Sequence, residues 1–315
     1  MVGTSACGRG LTHHGLLHSP SADLAAILAP LIAERLTQEE TVLAALPADI
    51  TEKLPALLPT LAGLHVTDSS ELFRHPGRVL AYYRAWLAET RSDGRPAAIV
   101  AVPDPGDNDQ HRAALWMHID AATTVALAEY DNLTLICAYP DCPAAADAVR
   151  RVHPSLVNGT IIPNPDHLPA EQFVARYPLP PPAELGRPEL IHNIEHLTQL
   201  SPLRQIVSAH ASGAGLPAAR CDDVVLAVTE VASNALEHGA PPATVRLWTT
   251  SSSMICQVTD AGRYTEPLAG LLPPPSTQYR GRGLWMVHQL CDQFYLWQHP
   301  TTVRVQMDRT PGIAS

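Results

Sequence analysis

The sequence is poor in lysine and carries more acidic than basic residues. Lys53 is the only lysine among 315 residues, so a phosphate bound elsewhere must be held by arginine or by backbone N–H groups. The 31 acidic residues against 21 basic ones give a net charge of −10. This balance disfavours direct binding of DNA or RNA. It suits a protein partner with a basic surface, although solubility alone explains it equally well.

Long apolar runs and paired cysteines are also absent. No stretch of 18 apolar residues occurs, so no membrane span is expected, and no signal-peptide core is expected before Thr12. None of the cysteines forms a CxxC pair, as expected for reduced thiols in the cytoplasm; they are Cys7, Cys137, Cys142, Cys221, Cys256 and Cys291. With 46% hydrophobic and 17% charged residues, the composition predicts a globular cytoplasmic protein. The length predicts two domains.

One polar helix stands out in the C-terminal half. Asp222 and Asp223 suit its first turn, where carboxylates meet the positive end of the helix dipole, and Gly239 suits its end. Its buried face is predicted from apolar residues at helical spacing, namely Val224, Val228, Val231 and Ala235. Glu230 and Asn234 fall on another face, one turn apart. This pair can orient a hydroxyl and complete a Mg²⁺ shell beside phosphates, or it can simply form a solvated polar face.

Two strands and a glycine turn follow this helix. Residues 243–249 and 254–259 alternate apolar and polar side chains, as strands do. Asp260 ends the second strand, where a carboxylate can accept a hydrogen bond from an adenine amino group. Gly262 lets the backbone pass close to a base. An ordinary turn is the alternative interpretation of these two residues.

A loop rich in proline and glycine, residues 267–279, comes next and is a candidate lid. It leads into Arg280-Gly281-Arg282-Gly283-Leu284, where another helix is predicted to begin. Glycines at a helix start expose backbone N–H groups to phosphate oxygens, and the two arginines add positive charge. Strands over 294–297 and 302–307 are predicted to close the domain as a hairpin.

Together these segments resemble the N, G1 and G2 boxes of the GHKL (Bergerat-fold) anti-sigma-factor serine/threonine kinases. The matching residues are Glu230-x-x-x-Asn234-Ala235-x-x-His238-Gly239, Asp260-x-Gly262 and Gly281-x-Gly283-Leu284. PLAG from Pro267 and RGRGLWMVHQLCD from Arg280 resemble a branch of regulators from high-GC bacteria. The resemblance covers residues 188–307 and implies a Bergerat-type α/β sandwich that binds ATP.

The resemblance also implies a transcription regulator, including one of stress responses, that sequesters a sigma factor. It implies phosphate transfer to a serine of an anti-anti-sigma (STAS-type) partner, with Glu230 as catalytic base and Asn234 as Mg²⁺ ligand. The other implied ATP contacts are Asp260, Gly262, Arg280, Gly281, Arg282, Gly283 and Leu284. Tyr264 stands where the family has a second G1 glycine, and its ring could crowd a nucleotide. A binding module without ATP turnover, or a ligand sensor with a degenerate ATPase scaffold, is therefore an open alternative.

The first half of the chain alternates helices and strands. Helices are predicted over residues 22–36, 52–61, 76–87, 111–129 and 144–153, and strands over 41–46, 65–67, 97–102 and 133–137. Such alternation predicts a doubly wound, mainly parallel sheet. No G-x-x-x-x-G-K-[ST] motif occurs, so this half is not expected to bind ATP through a P-loop.

Several short motifs of this half resemble a MEDS sensory domain, a RecA-like fold that lacks the ATPase motif. They are His14-Gly15-Leu16-Leu17, HPGRVLAYYRAWL from His75, Trp116 with Asp120, LICAYPD from Leu135, and His153-Pro154. Asp120 stands where the family pattern has glutamate. The resemblance implies a small-molecule sensor placed before the anti-sigma domain. The ligand contacts that it implies are His14, His18, Trp116 and Asp120.

These inferences divide the chain into five segments. They are a flexible N-terminus (1–12), a sensory domain (13–160), a proline-rich semi-extended linker (161–187), the anti-sigma domain (188–309) and a tail (310–315). The sequence leaves the oligomeric state open, with a homodimer among the options.

Three histidine or cysteine patterns could indicate metal sites, but a structural role is expected for each. The segment from His192 to His196 matches the H-x-x-E-H zinc protease pattern, yet it is predicted to enter a strand instead of a helix. The group His13, His14 and His18 is expected to be a flexible tail followed by the first residues of a domain. Cys137 and Cys142 are expected to be structural thiols.

Overall fold

Two sheets organise the chain, one in each of two units, Met1–Arg176 and Tyr177–Ser315. A computed structural model describes residues 10–91, 94–103, 110–274, 281–298 and 300–309. The division between the units falls inside the range expected to be the linker.

The first unit contains a seven-stranded sheet. Its strands are β1 (Leu11–His18), β2 (Thr41–Leu46), β3 (Leu64–Asp68), β4 (Ala97–Ala101), β5 (Leu133–Pro140), β6 (Ser155–Asn158) and β7 (Thr160–Pro163). Their order is β3-β2-β4-β5-β1-β6-β7, and all neighbours are parallel except β6 and β7. The predicted mainly parallel sheet is confirmed. Strand β4 is buried along its whole length, as expected where helices cover both faces of a parallel sheet.

The helices of this unit connect the strands and supply the core. They are α1 (Leu24–Thr37), α2 (Ala48–Thr51), α3 (Leu54–Leu57), α4 (Ser69–Leu72), α5 (Val79–Thr90), α6 (Gln110–Ala126), α7 (Pro143–Val152) and α8 (Ala170–Arg176), with a 3-10 turn at Pro76–Arg78. Leu28 and Ile32 of α1 share one buried cluster with alternate residues of β2 and β4. Every second residue of those strands and every fourth residue of the helix faces inward, and these side chains form one core.

The strand β1 corrects the prediction for the N-terminus. Residues 11 and 12 were expected to be flexible, yet β1 lies inside the sheet between β5 and β6. Its histidines hide the strand signal, because His13 and His14 are polar residues that are 2% and 5% exposed. Residues 1–9, and the tail over 310–315, lie outside the described residues.

Two further expectations differ from the structure. The helix predicted over 52–61 is shortened to α3, because Pro55 can occupy only the first turn of a helix, and α2 lies just before the predicted range. The first half of the expected linker is folded, since β7 pairs with β6 and α8 packs on α6. Phe173 of α8 is 3% exposed, which explains why this stretch is ordered despite its prolines.

The second unit contains a five-stranded antiparallel sheet. Its strands are β8 (Leu190–Ile194), β9 (Ala243–Thr249), β10 (Ser253–Asp260), β11 (Gln293–Trp297) and β12 (Thr301–Asp308), in the order β11-β12-β10-β9-β8. The α-helices in the described part of this unit are α9 (Leu200–Gly213), α10 (Ala218–Glu237) and α11 (Gly283–Leu290), with a 3-10 turn at Leu197–Gln199. The apolar face predicted for α10 is buried and shares one core with Met254, Cys256 and Val258 of β10. The predicted α/β class is thus confirmed in this unit too.

The helix α10 begins earlier than predicted. Its first residue is Ala218, after Pro217, so Asp222 and Asp223 lie in its second turn. The extra turn places Arg220 where its guanidinium donates to Asp223 and to the Leu290 carbonyl. No helix of the described chain is long and apolar enough to cross a bilayer. All five described cysteines are free.

Candidate functional site

Helix α10 presents the two polar residues on which the prediction rests. Its valines at positions 224, 228 and 231 turn inward and are at most 4% exposed. Glu230 and Asn234 are half-buried and stand one turn apart on a different face. The polar pair is therefore held in place by the packing of the same helix.

The start of α11 lies directly against this polar pair. A Cβ built on Gly283 would stand 2.6 Å from Glu230 Oε2 and 3.5 Å from Asn234 Nδ2. A side chain at position 283 would force the Glu230 carboxylate to move. The predicted N-box pair and the predicted G2 glycine are thus neighbours in space, although about fifty residues separate them in sequence.

A second glycine contact forms at the end of β10. A Cβ on Gly239 would stand 2.4 Å from Asp260 Oδ1, and one on Gly262 would stand 2.6 Å from Gly239 Cα. Gly239 was expected to supply a left-handed helix cap, but its φ is not positive. The reason for glycine at 239 is therefore close approach to Asp260.

Asp260 is held by the backbone around it. It is 6% exposed, and its Oδ1 accepts hydrogen bonds from the N–H of Ala240 at 3.1 Å and of Gly262 at 2.6 Å. Among the described residues, the Asp260 carboxylate accepts these two hydrogen bonds, and Oδ1 accepts both. The other oxygen, Oδ2, is oriented by them.

The segment before α11 combines a left-handed glycine with positive charge. Gly281 has a φ of +79°, a backbone conformation that favours glycine. Arg282 is exposed and occupies the N-cap position of α11. Leu284 is half-buried and packs against the core. Arg280 lies outside the described residues, as does part of the candidate lid.

An ion pair fixes α10 relative to α11. The guanidinium of Arg220 contacts the Asp292 carboxylate just beyond the end of α11, and Asp292 Oδ2 also accepts from the Asp308 N–H at 2.7 Å. Arg220 is 7% exposed and Asp292 3%. Breaking such a buried pair leaves one uncompensated charge, so these residues hold the two helices that carry the glycine contact.

Tyr264 occupies the place of the second G1 glycine. Its hydroxyl is buried, and within the described parts of the chain it has no hydrogen-bond partner. Burial raises the pKa of this phenol, with a smaller contribution from Glu266. The side chain is therefore partly enclosed by the protein and not fully open to solvent.

Residues 195–308 match the family of the histidine kinase-like ATPase domain. This part of the chain is similar to GHKL-type ATPase domains. The match covers little more than a third of the chain, from the end of β8 to the last residue of β12, and it contains every contact described above. It indicates an ATP-binding module. No curated protein matches the chain.

The secondary structure around His192 decides whether the H-x-x-E-H pattern is a zinc protease site. His192 lies in β8 and His196 follows the end of that strand. The H-x-x-E-H pattern requires both imidazoles on one helix face, so the strand predicted there, and not a zinc protease helix, is confirmed.

The structure separates the four residues expected to contact a sensory ligand. Trp116 Nε1 donates to Tyr139 Oη at 2.7 Å, and Tyr139 donates to Asp120 Oδ2 at 2.6 Å. His14 instead bonds Ser155 Oγ at 2.6 Å, and burial lowers its pKa to about 4. The His18 ring bonds the carbonyl of its neighbour Ser19 at 3.0 Å.

Asp120 is surrounded by residues from β1, β5 and the end of α7, namely His13, Cys137, Tyr139 and His153. Sequence reasoning considered His13 and Cys137 only in separate groups, expected a structural role for each, and placed neither beside Asp120. The register of the sheet explains the arrangement: Gly15 pairs with Cys137, so His13, two residues before Gly15, faces the same side as Cys137. His14 faces the opposite side for the same reason.

Proposed function

We propose that the second unit is an ATP-binding anti-sigma domain that acts on a serine of an anti-anti-sigma protein. The contact between Gly283 and Glu230 carries this proposal, because it joins the N-box pair to the glycine turn where phosphates bind. The match to histidine kinase-like ATPase domains supports the ATP part. The resemblance of the three boxes to anti-sigma-factor kinases supports the partners.

The residues fit ATP and Mg²⁺. Gly239 and Gly262 let the ends of α10 and β10 come close to Asp260, which offers an oriented carboxylate at the strand end. When bound, ATP supplies the phosphoryl group, and Mg²⁺ offsets the negative charge of the phosphates. Asn234 supplies an amide oxygen, a ligand type suited to Mg²⁺.

The chain's own groups then divide the remaining tasks. Asp260 Oδ2 accepts from an adenine amino group while Oδ1 stays bonded to the backbone. The N–H groups at the start of α11 hold phosphate oxygens, with Arg282 adding charge. Glu230 accepts the proton from the hydroxyl of the partner serine.

The direct test measures binding and transfer separately. Calorimetry with ATP, with and without Mg²⁺, measures the affinity of the full chain. Incubation with γ-labelled ATP and STAS-type proteins from the same genome measures transfer to serine. Saturable Mg²⁺-dependent binding together with labelled serine supports the proposal. Absence of ATP binding contradicts it.

Tyr264 favours a second candidate, a binding module without ATP turnover. Tyr264 has a ring at a position where the anti-sigma-factor kinases have glycine, which has no side chain. Its hydroxyl is buried. In that case the chain binds a sigma factor but labels no partner. Analytical ultracentrifugation with each sigma factor of the same genome, paired with the transfer assay, separates the two candidates.

The first unit is proposed as the regulatory part of a cytoplasmic protein. A small molecule bound there would change sigma affinity by about 5–150-fold, the usual range of allosteric coupling, and the coupling must be reciprocal. A ligand sensor whose ATPase-like scaffold is degenerate is the third candidate. It predicts a ligand-dependent change in sigma binding with no ATP binding at all.

A further inference from the structure

Four metal-ligating side chains meet inside the first unit. They are His13, Asp120, Cys137 and His153, and one ligand atom from each lies within 4.8 Å of the others. All four residues are at most 5% exposed. This cluster is separate from the proposed ATP site, and nothing in the proposed function uses it as a metal site.

Three of the ligand atoms already stand at distances that suit a tetrahedral ion. Zn²⁺ binds nitrogen and oxygen at about 2.0–2.2 Å and sulfur at about 2.3 Å, which places neighbouring ligand atoms roughly 3.3–3.6 Å apart. His13 Nε2 lies 3.3 Å from Asp120 Oδ1 and 3.5 Å from Cys137 Sγ, and Cys137 Sγ lies 3.6 Å from Asp120 Oδ1. The fourth atom, His153 Nε2, lies 3.2 Å from the other carboxylate oxygen, Asp120 Oδ2. All four ligand atoms lie within 4.8 Å of one another, so a small movement of this ring closes the set.

One of these atoms lacks a hydrogen-bond partner. His153 is 0% exposed, and its Nε2 makes no hydrogen bond within the described chain, although Asp120 is near. The two atoms are close but are not aligned as donor and acceptor. Its Nδ1 donates to the Val149 carbonyl at 2.8 Å, which leaves Nε2 as the ring nitrogen directed into the cluster.

Protein groups orient the candidate ligands from behind, as in known metal sites. His13 Nδ1 bonds Thr124 Oγ1 at 2.9 Å, and the Tyr139 hydroxyl donates to Asp120 Oδ2 at 2.6 Å. These two hydrogen bonds fix the orientation of the imidazole ring and of the carboxylate.

Glycine makes room for this arrangement. A Cβ on Gly15 would stand 2.8 Å from His153 Cγ. The histidine ring can therefore approach β1 only because residue 15 has no side chain. His13 and His153 rings stand 4.4 Å apart at their centroids.

The charges also balance. Asp120 and a Cys137 thiolate carry one negative charge each, and the two imidazoles are neutral, so a divalent cation makes the buried set neutral. Without a cation, the Cys137 thiol donates to Asp120 Oδ1. Thiolate and imidazole ligands in a tetrahedral set select Zn²⁺ among common divalent ions.

We propose that His13, Asp120, Cys137 and His153 form a closed structural Zn²⁺ site that ties β1, α6, β5 and the end of α7 together. All four positions of the tetrahedron come from the protein, as in structural and not catalytic zinc sites. Binding releases the thiol proton of Cys137 to solvent as its sulfur bonds to the metal.

The test uses the full chain and two metal probes. Wild type, freed of metal with a chelator and dialysed, is titrated with Zn²⁺ and with Co²⁺. We expect one ion per chain, a thiolate-to-cobalt charge-transfer absorption and a rise in melting temperature on adding Zn²⁺. If wild type binds neither ion, or binds Co²⁺ without that absorption, the cluster is only a hydrogen-bonded network and the proposal is wrong.

Matched variants locate the site. Cys137→Ser should abolish the charge-transfer absorption, whereas Cys256→Ser, a buried cysteine of the other unit, should keep it. Tyr139→Phe keeps every ligand and should weaken Zn²⁺ binding by about 10–100-fold, as loss of an orienting partner does. Unchanged Zn²⁺ binding in Cys137→Ser would also overturn the proposal, and circular dichroism checks that each variant is folded.

Discussion

Gly262 and Gly239 touch backbone to backbone: a Cβ on Gly262 would stand 2.6 Å from Gly239 Cα and 2.6 Å from Asp260 Oδ1. The residues that follow helix α10 and strand β10 therefore both pack against the Asp260 carboxylate. These two segments meet at a point where no side chain other than that of Asp260 has room.

Gly262→Ala should therefore destabilise the protein and disturb nucleotide binding. Overpacking of this kind costs about 1–3 kcal/mol, measured by urea unfolding. Gly186→Ala is the control, because a Cβ there meets nothing within 4 Å, and it should unfold like wild type. Equal stability of the two variants would show that the glycine contact is not tight.

Asp260→Asn should weaken ATP binding by about tenfold or more, the loss expected for a hydrogen bond to a charged group. The amide oxygen can still accept from Ala240 and Gly262, so the fold is kept, while the amide nitrogen presents a donor to an adenine donor. Asp260→Ala should instead lower stability, because two backbone N–H groups lose their acceptor. Calorimetry and urea unfolding of both variants measure the two effects, and undiminished ATP affinity in Asp260→Asn would remove this residue from the site.

Glu230→Gln should abolish phosphate transfer to the partner serine and leave ATP bound, because the amide cannot accept the proton. Glu237→Gln is the matched control, since Glu237 ends the same helix and is exposed. Asn234→Ala should reduce the Mg²⁺-dependent part of ATP affinity. Transfer that survives in Glu230→Gln would assign the base to another group.

The stability of the second unit should fall below neutral pH through His288. Burial lowers the pKa of this histidine to about 3, against an ordinary value of 6.5 in the unfolded chain. Its neutral form is therefore stabilised by folding: the contribution is complete above pH 6.5 and is lost as the pH falls toward 3. At pH 5 the loss is about 2 kcal/mol.

Replacing His288 by glutamine removes this dependence. The difference in unfolding free energy between wild type and His288→Gln should change by that amount between pH 7 and 5, because other titrating groups cancel. The ring packs on Phe294 with centroids 3.9 Å apart, so glutamine should lower stability at pH 7. A difference that does not vary with pH would show that His288 is accessible to protons in the folded state.

A fragment of residues 177–315 should be more stable than one of 188–315. Trp248 Nε1 donates to the Gly186 carbonyl at 2.7 Å, and Arg304 Nη1 donates to the Ala183 carbonyl at 2.8 Å. The shorter fragment lacks both acceptors and should lose about 1–3 kcal/mol, measured by urea unfolding. Sigma binding by the longer fragment tests whether the ATPase-like domain recognises its partner alone, and failure to bind would require the first unit for recognition.

Some of the candidate site could be predicted because it rests on local periodicity. The valines of α10 repeat at helical spacing, which by itself places Glu230 and Asn234 on one face. The alternation in β9 and β10 likewise places Asp260 at a strand end. The glycine at 239 was predicted correctly but for the wrong reason, since its contact partner is distant in sequence.

Other features appear only when distant segments are brought together. The extra turn of α10 could not be predicted from Ala218 and Ala219. It is stabilised by the ion pair between Arg220 and Asp292, and Asp292 lies seventy-two residues further on. The strand β1 carries two buried histidines, which are stable inside a sheet only because each has a polar partner. His13 contacts Asp120, and His14 bonds Ser155.

The sequence by itself determined the class of both units, the helix with its polar pair, and the order of the glycine boxes, because helix and strand periods are short-range properties. Only the tertiary structure decided which of the histidines matter. Parallel pairing of β1 with β5 turns His13 and Cys137 to one face, and the end of α7 adds His153. That register depends on contacts across more than a hundred residues, which no local pattern encodes.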